Sequence, residues 1–266
     1  MMYTLIHPPI HCQRLNIIGN HSMSQRIMGH FHQGLGIKSG IRRLFNPSPP
    51  ARDPLGVPSR FAEGDWVRVR DHASVRETLD GRSRLRGLQF TPTQWITCSK
   101  IYRVFKSMRR IIDDKGVLRP ISGTVLLAGV DCGINGGSGG CGRHCPMMYR
   151  DEWLEPAKPG SGAQTLTSGE TRFARILSLA RITRGLAWRG QREGLMFTPE
   201  MARFAGVRVR ILRQLTHVFE YDRWLNPRHP IYILDLHCTG GTLGSDGPCD
   251  RACHLLWHAD WLELED

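Results

Sequence analysis

The stretch CGINGGSGGCGRHCPMMYRDEWLE, residues 132–155, places three cysteines in a glycine-rich segment that ends in aromatic and acidic residues. Cys141 and Cys145 are separated by three residues, a spacing typical of thiol pairs that bind metal. The surrounding glycines allow the backbone to bend tightly around an ion. Disulfides, a catalytic thiol and metal ligation are all compatible with this stretch alone, so its meaning depends on the rest of the chain.

The same pattern returns in the C-terminal half. The hexapeptide GLQFTP at 87–92 recurs as GLMFTP at 194–199, and the apolar run TVLLAGVDC matches YILDLHC. Downstream, both copies have the spacing C-x3-C-x7-W-L-E, which ends at Glu155 and at Glu263. Self-similarity at a fixed offset is the signature of a repeated structural unit. The sequence therefore predicts an internal duplication.

This repeat and the composition divide the chain into four segments. Residues 1–60 contain seven Lys or Arg and one acid, and their many prolines predict a basic, disordered tail with a Pro-rich linker. Residues 61–156 are predicted to form a first Cys-rich module. A Gly/Ser/Pro-rich linker, residues 157–170, separates it from a second, degenerate Cys-rich module at 171–266.

Local patterns within each module favour short strands. FAEGDWVRVRD, which begins at Phe61, alternates apolar and polar residues after a Gly-Asp turn and is similar to the first strand of SH3-like barrels. A hairpin is predicted to turn at 114–116, and helices are predicted from Pro92 to Cys98 and from Pro146 to Leu154. We expect a β-rich α+β protein of two tandem small modules, built as SH3-like, partly open barrels that each carry a Cys cluster.

The cysteines are the candidate functional residues of both modules. In the first module, Cys98, Cys132, Cys141 and Cys145 supply enough thiolates for a closed tetrahedral zinc site. An iron–sulfur cluster would use the same ligands. Unligated core cysteines, disulfides and a catalytic or redox site are the alternatives. Metal ligation is favoured because both copies keep the C-x3-C spacing.

The second module retains three of these cysteines, Cys238, Cys249 and Cys253, and has Ala205 in the place aligned with Cys98. His217 is the predicted fourth ligand of this site. Three thiolates and a water molecule would instead make an open and potentially catalytic metal centre.

Composition limits the classes of function and location. The net charge is +12 and arginine far exceeds lysine, which leaves nucleic-acid binding through the basic N-terminal arm open. No apolar run reaches the roughly 18–20 residues that a transmembrane helix needs, and no signal peptide is visible. We therefore expect a cytoplasmic protein with no transmembrane segment. No nucleophile-elbow, zinc-protease, P-loop or dinucleotide-binding motif is present.

The motifs G-D-W-V-x-V-R, G-L-x-F, Y-R-V, G-V-x-C, G-C-x-x-x-C and E-x-W-L resemble a family of Cys-rich bacterial proteins of unassigned function. The resemblance covers Gly64 to Glu155 well and Gly194 to Glu263 in part. Family members are typically single modules, often encoded in biosynthetic neighbourhoods, with a further His and Cys after the Y-R-V strand. This chain has residues such as Arg109 and Ile112 there, so an enlarged metal site is not implied.

Three functions follow as hypotheses. The first is a metal-stabilised tandem-module protein, with zinc as the metal, that acts in binding or as an accessory factor toward a protein or a carrier-bound intermediate. The second is a metal- or thiol-dependent enzyme of a bacterial biosynthetic pathway. The third is nucleic-acid binding through the basic arm.

Overall fold

The computed structural model describes residues 55–112, 118–133, 141–159, 172–187, 190–220, 223–238 and 249–265. Residues 1–54 of the predicted tail, the predicted hairpin turn and most of the predicted linker lie outside these ranges. Residues 55–60 contact the first half of the chain, where the Gly56 N–H donates to the Arg109 carbonyl at 3.0 Å and the Ser59 hydroxyl donates to the Asp151 carboxylate at 2.5 Å.

The first half of the chain, residues 55–159, is dominated by strands. Its elements are β1 (Trp66–Val69), α1 (His72–Glu77), β2 (Arg84–Leu85), β3 (Leu88–Gln89), a 3-10 helix (Pro92–Thr97), β4 (Ile101–Ile112), β5 (Leu118–Asp131), β6 (Pro146–Arg150), a 3-10 helix (Asp151–Trp153) and β7 (Leu154–Pro156). Antiparallel pairing gives a five-stranded sheet in the order β6-β5-β4-β1-β7, and β2 and β3 form a separate two-stranded ribbon.

The second half, residues 172–265, has a sheet of equivalent order. Its elements are β8 (Phe173–Ile176), α2 (Leu179–Arg184), β9 (Gln191–Arg192), β10 (Leu195–Met196), a 3-10 helix (Pro199–Phe204), β11 (Arg208–Leu215), β12 (Val218–Glu220), β13 (Arg223–Leu225), β14 (Ile231–His237), β15 (His254–His258), a 3-10 helix (Ala259–Trp261) and β16 (Leu262–Glu265). The five-stranded sheet runs β15-β14-β11-β8-β16, and β9-β10 and β12-β13 form ribbons.

A buried tryptophan anchors the core of each half. Trp153 is fully buried, and its ring meets the buried Phe90 edge-on at a centroid distance of 5.0 Å. In the second half, Trp261 meets Phe197 in the same manner at 5.3 Å. Edge-to-face packing suits the quadrupoles of aromatic rings. The W-L-E tails found in the sequence therefore end each unit by closing its core.

Capping residues and prolines fix the short helices. Asp71 caps α1 by accepting the Ser74 N–H at 3.0 Å. Pro92 and Pro199 each begin a 3-10 helix, at a position where a backbone N–H would have no partner within the helix, so proline costs no hydrogen bond there. The helix predicted from Pro92 to Cys98 is therefore present, but in the tighter 3-10 form and ending at Thr97.

The prediction of a helix from Pro146 to Leu154 was wrong. Residues 146–150 form the edge strand β6, and only Asp151–Trp153 make a single 3-10 turn. Proline is tolerated at the first residue of an edge strand, so pairing with β5 overrides the local helical signal. The predicted β-rich α+β class is confirmed, and no sheet in the described ranges closes into a barrel. Across those ranges, no helix is long and apolar enough to cross a membrane.

Candidate metal centre

Two strand ends bring the first cysteines together. β5 ends at Asp131 and β6 begins at Pro146, and these two residues are paired in the antiparallel ladder. The next residues continue the pairing, because the Cys132 N–H donates to the Cys145 carbonyl at 3.0 Å. The glycine-rich segment therefore begins and ends at one point of the sheet, which places the Cys132 and Cys145 side chains side by side.

The Cys132 thiol contacts two other thiols of the first half. The Cys132 thiol forms hydrogen bonds with the thiols of Cys141 and Cys145, and these contacts together with burial raise the pKa of Cys132 far above the usual range for cysteine. The Cys145 N–H also donates to the Cys132 sulfur at 3.1 Å. The raised pKa keeps the Cys132 sulfur protonated as a neutral thiol. A cation that replaced the thiol protons would find three sulfur donors already gathered.

The first cysteine loop, Cys141–Cys145, is closed by a left-handed residue. His144 has a φ of 50°, and its N–H donates to the Cys141 carbonyl at 3.3 Å. The equivalent residue of the second cysteine loop, Cys249–Cys253, is Ala252, with a φ of 48°. Non-glycine residues rarely adopt this conformation. Both halves thus use the same turn immediately before the last cysteine.

The second half repeats the strand-end contact with a different partner. The Cys238 N–H donates to the Cys253 carbonyl at 2.7 Å, as Cys132 does to Cys145. The Cys238 thiol, however, donates to the carboxylate of Glu200 at 3.2 Å. Glu200 is only 5% exposed and lies on the 3-10 helix that begins at Pro199. A buried carboxylate therefore stands beside one of the predicted ligands of this half.

Cys98 lies elsewhere, in the core of the first half with Val67, Val69 and Phe90. Burial first, and then the charge of Asp71, raises the pKa of its thiol. It is not among the groups that act on the Cys132 thiol. The structure therefore gathers three of the four cysteines predicted as ligands in the first half and leaves Cys98 in a hydrophobic environment.

His217 lies between β11 and β12 and faces the opposite half of the molecule. Its carbonyl oxygen accepts the N–H of Gly142, in the first cysteine loop, at 3.1 Å. Its ring nitrogen Nδ1 is 2.9 Å from the Thr216 hydroxyl. The residue predicted as a ligand for the second site thus sits against the loop of the first.

A charged cluster that was not predicted from the sequence lies beside Cys132. The carboxylate of Asp131 is 2.8 Å from His144 Nδ1, and it also accepts the Gly133 N–H at 2.8 Å. The other ring nitrogen of His144 contacts the guanidinium of Arg213, whose pKa is lowered by burial. Arg213 can only donate, so its guanidinium is the donor in this contact.

A signal for two of these residues was present in the sequence. Asp131 immediately precedes Cys132, and His144 immediately precedes Cys145, so each is the chain neighbour of a predicted ligand. Arg213 gave no such signal because it is distant in sequence and reaches the site only through the contact between the halves.

The redox and ligand state of the cysteines can be stated for the described residues. None of the seven cysteines within them forms a disulfide, so the disulfide alternative is not realised there. Among the same residues, no three or more His, Cys, Asp or Glu side chains surround a common centre as in a metal site. The Cys132 thiol instead contacts the thiols of Cys141 and Cys145 directly.

Comparison with protein-family models, with curated proteins and with solved structures yields no match to this chain.

Proposed function

We propose that the protein is a tandem of two small, zinc-stabilised modules of SH3-like, partly open architecture that acts in binding or as an accessory factor. The observation that carries the proposal is the contact of the Cys132 thiol with the thiols of both Cys141 and Cys145. These three residues would hold the metal in the first module. Cys238, Cys249 and Cys253 would hold it in the second.

The spacing of hydrogen-bonded thiols suits a zinc site. With Zn–S bonds of about 2.3 Å, the sulfurs of a tetrahedral site lie roughly 3.8 Å apart. Thiols that donate to one another lie at a comparable separation, so exchanging protons for an ion requires only a small spreading of the loop. The Cys145 N–H that donates to the Cys132 sulfur would stabilise the thiolate as it stabilises the thiol.

A metal would also compensate for features that otherwise cost stability. The left-handed turn at His144 and its counterpart at Ala252 each cost on the order of 1 kcal/mol or more. Metal coordination supplies roughly 10 kcal/mol or more in small structural sites, enough to offset both.

A structural role for the metal favours a binding or accessory function over turnover. Each cysteine loop contacts the opposite half, as the Gly142 N–H does with the His217 carbonyl and the Asp250 N–H with the Arg110 carbonyl. A metal in such a loop would fix how the two modules present their surfaces. The proposed partner is a protein or a carrier-bound intermediate, in line with the biosynthetic setting that the family resemblance implies.

Elemental analysis of the full chain tests the proposal. We expect one zinc per cysteine loop in the wild type, and loss of the zinc of the first loop in Cys132→Ser. Cys98→Ala is the matched control, because it removes a buried thiol outside the contact cluster and should retain both metals. Wild type free of metal, with all thiols reactive toward a maleimide, would refute the proposal. Iron and sulfide in place of zinc would identify a cluster protein instead.

The enzyme alternative has one specific observation in its favour. The Asp131–His144 pair stands beside Cys132, in an arrangement that can hold and move a proton. The raised pKa of the Cys132 thiol argues against a free thiolate nucleophile there. A water exchangeable on a bound metal would be needed for this alternative. Nucleic-acid binding depends on the basic arm, most of which lies outside the described residues, and stays a prediction.

A further inference from the structure

The second cysteine loop is seated on β4 of the opposite half. One carboxylate oxygen of Asp250 accepts the N–H of Arg109 at 2.8 Å and that of Arg110 at 2.9 Å. The Asp250 N–H donates back to the Arg110 carbonyl at 3.0 Å. Three hydrogen bonds therefore join one loop residue to two adjacent residues of a strand in the other half.

An irregularity in β4 makes the contact of Asp250 with Arg109 and Arg110 possible. The register against β5 shifts between Met108 and Arg110, as in a β-bulge. In a regular strand, successive N–H groups point to opposite sides. A bulge disturbs that alternation, so the N–H groups of Arg109 and Arg110 can reach the same oxygen of Asp250. Bulges commonly redirect groups next to functional sites.

The same strand also reaches a predicted metal ligand. The Ile112 N–H donates to the sulfur of Cys249 at 3.4 Å. Cys249 is 9% exposed, and Ala252 of the same loop packs into a small core with Met108 and Leu126. The first half thus supplies an N–H donor to Cys249 and an apolar wall to Ala252 of the same loop.

The contact is reciprocal. Gly142, next to Cys141, donates its N–H to the His217 carbonyl, and Cys141 packs against the core of the second half. Arg213 of that half contacts His144 of the first loop. His217 lies 107 residues after Arg110, the offset of the sequence repeat, so the two loops use equivalent positions of the opposite sheet.

We infer that each cysteine loop is positioned by the opposite half of the molecule, and that Asp250 is the positioning residue that holds Cys249 on β4. The assignment of Cys249 as a metal ligand rests on the proposed function. The positioning itself is a property of the loop and can be measured with or without metal. Each cysteine loop therefore has contacts that the half to which it belongs does not supply.

Asp250→Ala in the full chain is the decisive variant. Hydrogen exchange at the amides of Arg109, Arg110 and Ile112 should accelerate at least tenfold relative to wild type, because their acceptors belong to the displaced loop. Alkylation of Cys249 by iodoacetamide, followed by mass spectrometry, should also accelerate. Where the wild type contains zinc, the affinity of the second loop should fall about 10- to 100-fold, as when an outer-shell partner is removed.

Asp260→Ala is the matched control. Asp260 lies in the same half and pairs with Arg192 on the surface, with its side chain 49% exposed. This variant should leave amide exchange in β4 and alkylation of Cys249 at wild-type rates. If Asp250→Ala proves unfolded by circular dichroism, Asp250→Leu replaces it, because leucine keeps the branched shape of the side chain and offers no acceptor to the two amides.

The outcomes separate the inference from the proposed function. Faster exchange and alkylation in the Asp250 variant support the inference, whether or not metal is found. Wild-type exchange at Arg109, Arg110 and Ile112 in a folded Asp250 variant overturns it, even where both loops contain zinc. Metal-free wild type with the same Asp250 effects would remove the proposed metal and leave the positioning intact.

Discussion

Gly142→Ala is the sharpest test of how tightly the two halves meet. Gly142 lies between Cys141 and Arg143, and a Cβ added there would fall 2.6 Å from the carbonyl oxygen of His217 and 3.4 Å from a methyl of Leu215. The first of these contacts involves backbone and cannot be relieved by a rotamer change. The loop must therefore move away from the second half, which also stretches the bond from the Gly142 N–H to the His217 carbonyl.

The expected cost follows from these two contacts. Overpacking at a well-packed position costs about 1–3 kcal/mol. Weakening one hydrogen bond adds up to about 1 kcal/mol, while replacing glycine by alanine returns about 0.5 kcal/mol by restricting the unfolded chain. We expect a net loss of about 2.5 kcal/mol in the free energy of unfolding. For a folded region of this size, that corresponds to a fall in Tm of roughly 5–10 °C.

Urea denaturation of the full chain, followed by tryptophan fluorescence, measures the difference. Gly81→Ala is the control, because a Cβ there would meet nothing within 4 Å. That substitution should leave stability unchanged or slightly raised. If Gly142→Ala and Gly81→Ala differ by less than about 0.5 kcal/mol, which is the scatter among surface substitutions, the close approach of the first cysteine loop to His217 is refuted.

Three further substitutions probe separate features. Burial lowers the pKa of His258, so the stability that its neutral form contributes above pH ~6.5 should be lost as the pH falls toward the lowered pKa. In His258→Asn, the side-chain amide can still accept the Asp260 N–H. The free energies of unfolding at pH 7 and pH 5 should therefore differ less in this variant than in the wild type. Trp153→Phe leaves a void and removes the Nε1–H bond to the Thr78 hydroxyl, so calorimetry should show a loss of about 2 kcal/mol. Glu265→Gln breaks the ion pairs with Arg175 and Arg208 at the surface, and it should lower the free energy of unfolding by less than about 1 kcal/mol. The stability of this variant should depend less on salt concentration than that of the wild type.

The β-rich class and the positions of many strands were predictable because they depend on local pattern. Alternating residues before Val69 and the apolar run before Cys132 both became strands of the sheets. Residues 146–150 were not predictable in this way. Pro146 is as suited to a helix start as to an edge strand, and only pairing with β5, which is remote in sequence, decides between them.

The candidate site was predictable in its cysteines but not in its boundaries. Counting thiols gave four candidates in the first half, but counting cannot tell which way a side chain points. Cys98 follows a 3-10 helix that directs it into the core, whereas Cys132 follows a strand end. Asp250 and Arg213 could not be predicted from the sequence for another reason. Their roles depend on contacts across the two halves, and no local spacing encodes those contacts.

Comparing equivalent positions in the two halves shows which cysteines the fold is built around. Cys98 and Ala205 follow equivalent 3-10 helices with nearly the same backbone, φ and ψ of −55° and 141° against −57° and 129°. That position accepts a thiol or a methyl group without change, as a packing position does. The turn before the last cysteine is different, because both halves keep a left-handed residue there at a cost in strain. In both halves, a hydrogen bond from the N–H of the strand-end cysteine to the carbonyl of the last cysteine offsets part of this strain. Both halves thus have a strained turn next to the last cysteine and close the cysteine loop on the cysteine at the strand end. This closed loop is the feature that the two halves have in common, and it is the place where we expect the chemistry of the protein.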